Sequence, residues 1–209
     1  MSQKTRSQNS ERGSALVEFV LCFSFFWVPL FFGTLVLGLN LVRAIQTTQV
    51  CRDAGHMYAF GTDFSQPANQ NLLVSLASGL NMTATGGNGV VVLSTITYAD
   101  ATACQAAGLQ NNCPNQGQAV FTRRIVIGNQ GLHPSAFGTP VSNIMDNGGN
   151  ISNTNYLTDT SAVASGFLNV IPLQSSTQLA YVAEMWVISP DYNWWSVLGS
   201  SGSSARAIF

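Results

Sequence analysis

Charge is scarce in this sequence. Asp, Glu, Lys and Arg make up only 8% of its 209 residues, against about 25% in an average soluble domain. The 8 basic and 9 acidic residues nearly cancel, leaving a formal net charge of -1. Nothing in that balance supplies the basic surface that a nucleic-acid binder needs, so nucleic acid is not an expected partner. Histidine occurs twice, as His56 and His133, far apart and without a carboxylate or thiol at ligand spacing. The four cysteines lack the paired spacing of a zinc site and are too few for a disulfide-dense miniprotein. There is no G-x-S-x-G elbow, no P-loop and no H-E-x-x-H. Asp146 with its Asn neighbours lacks the twelve-residue calcium-loop pattern and reads as a turn. These absences predict a protein that is not an enzyme and uses no cofactor or metal. Disorder is excluded as well, because 46% of the residues are hydrophobic.

What is there is distributed unevenly. Lys4, Arg6 and Arg12 crowd the amino end, and the next basic residue is Arg43. Between them, Gly13 to Val42 carries a single charge, Glu18, and reads LVEFVLCFSFFWVPLFFGTLVLGLNLV from Leu16 onward. About 20 apolar residues span a hydrocarbon core, so this run crosses with length to spare. A buried helix of a soluble protein rarely stays apolar on every face for so long. A cleaved secretory signal has an apolar core of about 7–15 residues and a small-residue cleavage site; this run is longer and ends in Asn40-Leu41-Val42-Arg43. Cys22 follows Leu21 deep inside the run, which does not suit a lipoprotein signal. The basic amino end predicts that it stays in the cytoplasm, although Arg43 and Arg52 beyond the span oppose that bias.

Glu18 is not explained by a plain anchor. An ionisable side chain at the centre of a membrane helix costs on the order of 2.5–3.5 kcal/mol, and such residues are functional by default. Glu18 lies six residues after Arg12, about 9 Å along a helix axis, so it sits near an interface. The competing reading is a carboxylate that snorkels to the headgroups or pairs with Arg12.

Taken whole, the local string is Glu11-Arg12-Gly13-Ser14-Ala15-Leu16-Val17-Glu18-Phe19, followed by the apolar run. A basic leader ending in Gly, with a Glu-aromatic pair five residues on, resembles the processing site of type IV-like prepilins. More closely it is similar to the TadE-like minor pilins, or pseudopilins, of the bacterial tight-adherence (Flp) pilus system. The stretch from Ala44 to Ala59, AIQTTQVCRDAGHMYA, also resembles that family, and the likeness covers about residues 10–60. It implies cleavage between Gly13 and Ser14 by a prepilin peptidase, leaving the new α-amino group on Ser14. It implies that Glu18 serves processing, or pairs with Ser14 of a neighbouring subunit. Phe19 stands where the family often has Tyr, keeping the ring and losing the hydroxyl. The implied partners are the membrane, the peptidase and other pilin or pilus-assembly subunits. The implied location is the bacterial inner membrane, single pass, with the carboxyl-terminal domain periplasmic or carried to the cell surface in a pilus.

The physics of the segment suits such a role. Cleavage would remove Lys4, Arg6 and Arg12, letting a nearly uncharged helix exchange lipid for a bundle of like helices. In that bundle a carboxylate paired with a neighbour's amine would offset its desolvation and set axial register. Pro29 predicts a kink. Gly33 and Gly38 form no GxxxG pair and point only weakly to packing.

Past Val42, Ala44, Thr48, Cys51, Gly55 and Tyr58 recur at helical spacing, predicting a helix to about Phe60 that stops at Gly61. A second helix is expected over Asn69–Leu80, with Leu72, Leu73, Leu76 and Leu80 as its stripe. Strands are expected at Val90–Ala99, Ala119–Gly128 and Gln178–Ser189, β-branched or aromatic runs bounded by turn residues. The first two should form a hairpin. Residues 129–177, rich in Gly, Asn, Ser and Thr, should be mostly irregular with a short helix near Ser161–Val170. The expected fold is α+β: a long N-terminal transmembrane helix continuing into a pilin-like periplasmic domain with a small antiparallel sheet. Four segments follow: a cytoplasmic leader at 1–13, the TadE-like helix at 14–60, the exported α+β domain at 61–198 and a flexible tail at 199–209.

Cys104 and Cys113 enclose a short polar loop beyond the membrane and are disulfide candidates in an oxidising compartment; the competing reading is two unrelated thiols. Cys22 should be a small buried hydrophobe, and Cys51 is left for packing against a partner. Tyr181, Trp186, Tyr192, Trp194 and Trp195 concentrate aromatics around the last expected strand, as core or as an interface patch. The functional expectation is a minor pilin or pseudopilin that works by assembly. The alternative is an uncleaved bitopic inner-membrane protein whose periplasmic domain binds a ligand or partner.

Overall fold

The structure, a computed structural model, describes residues 5–110, 112–188 and 202–209, and side chains from residue 13 onward. It divides at Val42/Arg43 into two units. The first is helical: α1 (Thr5–Cys22), a π-helical turn at Phe23–Trp27, and the start of α2 (Val28–Ala59). The π turn has a local cause. Pro29 has no N–H to donate, and its ring crowds the carbonyl four residues back. The preceding turn widens instead, so that the Val28 N–H reaches the Phe23 carbonyl five residues away. The expected kink is thus a change of hydrogen-bond register. The helix is long and apolar enough to cross a membrane. Its large side chains face outward along the whole run, Phe25 at 79% and Leu37 at 70% exposure. Cys22, expected to be a small buried hydrophobe within the span, is exposed on this helix.

The second unit is built on a four-stranded antiparallel sheet in the order β4-β3-β5-β6. Its strands are β3 (Gly89–Tyr98), β4 (Ala119–Gly128), β5 (Leu179–Ile188) and β6 (Gly202–Ile208). A small ribbon of β1 (Met82–Thr83) and β2 (Gly86–Gly87) precedes it. The expected β3–β4 hairpin is present, with α4 (Ala101–Ala106) in its connection. One β-bulge interrupts it: Thr95 pairs with Arg123 but Ile96 with Phe121, so Thr122 is the extra residue.

Both faces of this sheet are covered, which is why β3 reads as the unbroken run VVVL rather than an alternation. Against one face lie Val50, Cys51, Ala54 and Tyr58 of α2, and Leu73 of α3 (Pro67–Leu76), packed on Val91, Leu93, Ile125, Ala183 and Met185. Against the other lie Phe137, Ile151, Ala164, Phe167 and Leu173 from the 129–177 segment, packed on Ile96, Phe121 and Val182. That segment is irregular apart from α5 (Asn153–Thr158) and three short 3-10 turns, one of them at Phe167–Asn169 inside the stretch where a helix was expected. It also covers the outer edge of β4. The Arg124 N–H donates to the Gly149 carbonyl and the Ile151 N–H to the Thr122 carbonyl, with bridges pairing Arg123 to Asn150 and Val120 to Val163.

The amphipathic half of α2, Arg43–Ala59, groups with the sheet unit, its buried stripe resting on β3 and β5. That stripe is Thr47, Val50, Cys51, Ala54, Gly55 and Tyr58; Thr48, placed on it by spacing, faces outward. The tail at 199–209 is no flexible end over its described part. Gly202–Ile208 forms β6, in register with β5 from Ile188 back to Val182, and Tyr181 and Phe209 exchange both backbone hydrogen bonds. Small residues permit this. The Thr47 and Ser203 hydroxyls meet at 2.7 Å, and the Cys51 thiol donates to the Ala183 and Ala205 carbonyls at 3.4 Å each. Cys51 is therefore packed inside its own domain, not against a partner. Of the aromatic cluster, Tyr181 and Trp186 lie half-buried on β5; Tyr192, Trp194 and Trp195, like Ser189 and the first tail residues, lie outside the described residues.

Helix α2 ends close to where the sequence places its stop. The Thr62 N–H bonds the Met57 carbonyl and the Gly61 N–H bonds the Tyr58 carbonyl, the double closure of a Schellman cap. Gly61 supplies the left-handed φ of 89° that this cap requires. Helix α3 starts at Pro67 and gives way after Leu76 to a 3-10 turn at Ser78–Leu80, so the expected second helix is helical in two pieces.

Candidate functional site

Gly13, Ser14, Glu18 and Phe19 all lie in α1 and are all exposed. Ser14 and Glu18 are four residues apart, so their side chains share one face of the helix. No atom lies within 4 Å of the position a Cβ on Gly13 would take. Packing within this chain therefore does not require glycine there. The Phe19 ring stacks on Phe23 at 6.2 Å, one turn further along the same face. Chemically the segment offers an accessible peptide bond, a carboxylate and an aromatic face, with no nucleophile or base beside them among the described residues.

The disulfide lies in the other unit. Cys104 and Cys113 are bonded, with their Cα atoms 6.0 Å apart. Cys104 is held by α4, whose N-cap is Asp100: the carboxylate accepts from the Ala103 N–H at 2.7 Å and the Ser176 N–H at 2.8 Å. Those backbone donors, Ser176 first, hold the Asp100 carboxyl down at about 2. The bridge packs with Ala99, Val120 and Leu157, fixing the β3–β4 connection to α5.

The remaining candidates are structural. His56 is exposed and lies beside the rings of Phe60 and Phe209, and His133 stacks on Trp186 at 4.4 Å. No group of three His, Cys, Asp or Glu residues able to hold a metal exists among the described residues. Asp146 folds its turn on itself, its carboxylate accepting from the Asn150 side chain and the Asn150 and Gly148 N–H groups, which hold it below the usual carboxylate range.

Two cavities escaped sequence reasoning. One, of about 280 Å³, lies beside Glu184, Arg206, Trp186 and His133. Its charges satisfy each other: Glu184 and Arg206 are 3.1 Å apart, and Ser135 and the Ala136 N–H also donate to that carboxylate. The other, of about 290 Å³, lies at the capped end of α2 between Tyr58, Arg123 and Tyr181. The readable signal for it was the tandem Arg123-Arg124 inside an apolar strand. Adjacent strand residues point to opposite faces, so each guanidinium needs its own polar surroundings. Arg123 finds Asp63 and the Gly148 carbonyl. Arg124 is buried and donates to the Gly138 carbonyl and the Thr139 hydroxyl, and loss of water lowers its proton affinity.

The 13–19 segment and the disulfide lie in different units, so the sequence-derived site residues do not form one cluster. Comparison with protein-family models, curated proteins and solved structures finds no match for this chain.

Proposed function

We propose that the protein is a minor pilin or pseudopilin of the tight-adherence type, cleaved between Gly13 and Ser14 and assembled through its apolar helix. One observation carries the reading. The helix presents its large apolar side chains from Leu16 to Val42 outward behind the string R-G-S-A-L-V-E-F. Such a surface is buried only by lipid or by other helices, and a segment that must serve in both settings needs to be apolar all round. Cleavage would then place the Ser14 ammonium one turn from Glu18, and either group can pair with a neighbour's.

The test is the mature amino terminus. With the cognate prepilin peptidase present, intact-mass measurement should find a chain beginning at Ser14, and Gly13→Leu should leave the leader attached. A wild-type chain that keeps its leader under those conditions overturns the assembly reading and leaves an uncleaved single-span protein.

A further inference from the structure

The cavity at the capped end of α2 has no part in the proposed function. Its walls come from the end of α2 and the turn after it, from β3 and β4 at the bulge, from the Asn150 loop and from β5. Tyr58, Thr62, Thr95, Arg123, Asn150 and Tyr181 all present polar side chains to about 290 Å³ of space. Ligand pockets are usually apolar with a few polar groups; here the proportion is reversed.

Three observations define what would fit. The cavity is close to neutral, because Arg123 is already paired with Asp63 and the Gly148 carbonyl. The Asp63 carboxyl is held at about 2 by the Ser65 hydroxyl and then by Arg123, so it stays charged and keeps that pairing. Finally, hydrogen-bonding groups remain accessible. Tyr181 and Thr62 are half-buried and Asn150 is exposed, so their hydroxyls and carboxamide oxygen are open to a ligand from solvent, while the Tyr58 hydroxyl is tied to Thr95 at 2.8 Å. Hydroxyls donate and accept, and a carboxamide oxygen accepts, so the complementary ligand both donates and accepts without net charge. The Tyr58 and Tyr181 rings, edge to face at 5.6 Å, add apolar wall.

We propose that this cavity binds a neutral, hydroxyl-bearing ligand of the size of one sugar ring, with Asn150, Tyr181 and Thr62 as its hydrogen-bonding contacts. The ligand is a free monosaccharide or the terminal sugar of a glycan. The inference does not depend on the pilin reading.

The test uses the full chain in lipid nanodiscs, which avoids sugar-based detergents. Saturation-transfer NMR is recorded with glucose, galactose and N-acetylglucosamine, and with their methyl glycosides. Saturable transfer to at least one ring is expected, and Tyr181→Phe should weaken it about threefold to tenfold, the worth of one hydrogen bond. Asn150→Ala should weaken it as well, with the folded far-ultraviolet spectrum retained. Binding of the free sugars alone marks a monosaccharide site; binding of the glycosides too marks a glycan terminus. The proposal is overturned if no sugar or glycoside gives saturable transfer, if Tyr181→Phe binds like wild type, or if inorganic phosphate displaces the sugar, since that identifies an anion site.

Discussion

A single side chain can join distant parts of this chain, and Asp100 does so. Its carboxylate caps α4 and also accepts from the Ser176 N–H on a distant segment. Loss of an N-cap costs about 1 kcal/mol, so Asp100→Ala should lower the stability of the sheet unit by about that much near neutral pH. The pH dependence follows from its folded-state value of about 2, below the unfolded value of about 3.9. Its stabilisation is complete above about pH 4 and fades as the pH falls towards 2. Denaturant titrations of wild type and variant should converge over that window, and a gap as large at pH 2 as at pH 7 would rule out the ionised cap as the cause.

Gly55 acts at the same scale by what it lacks. A Cβ there would lie 2.9 Å from the Ala183 Cβ and 2.6 Å from the Phe209 ring. Alanine in place of glycine gains about 1 kcal/mol of helix propensity, whereas overpacking a core costs about 1–3 kcal/mol. The ring can swing aside, but Ala183 sits on a central strand and its Cβ cannot. Gly55→Ala should therefore be net destabilising, seen as a lower denaturation midpoint; a rise in the midpoint would mean that the helix shifts freely.

Among the elements, legibility tracks where the stabilisation comes from. Strands β3, β4 and β5 carry their own evidence in β-branched and aromatic runs between turn residues, and they fall within a residue or two of the expected bounds. Strand β6 carries none. Gly-Ser-Ser-Ala-Arg-Ala-Ile has the composition of a linker, and it becomes a strand because its small side chains let it lie close to Thr47 and Cys51. That is tertiary selection overriding propensity. The 13–19 string stands out because its pattern is contiguous, whereas the neutral cavity draws on five separate stretches of chain and left only Arg123, in its tandem with Arg124, as a trace. The disulfide was legible as a candidate through its location. It closes a nine-residue separation, for which chain-entropy arguments give about 2–3 kcal/mol. Cys104→Ser with Cys113→Ser should lose about that amount in a denaturant titration, and an unchanged midpoint would show that the loop is already ordered by packing with Leu157.

On the scale of the whole molecule, one helix runs from the first unit into the second. The large side chains up to Val42 face outward, whereas Arg43–Ala59 is built into the sheet unit. On the proposed pilin reading, a change in the first should be felt in assembly and not in the fold of the second. Glu18→Ala is expected to leave the protein resistant to carbonate extraction from membranes and the sheet unit as stable as before, while pilus number falls. Normal pilus number in that variant would remove Glu18 from subunit pairing.

The pairing of α2 with β6 also has a consequence in time. Cys51 meets Ala205 across 154 positions of sequence, and Thr47 meets Ser203 across 156. A ribosome makes the amino end first, so that side of the helix is finished long before the strand that shields it exists. Until then the nascent chain carries an uncovered greasy seam just past its long apolar run.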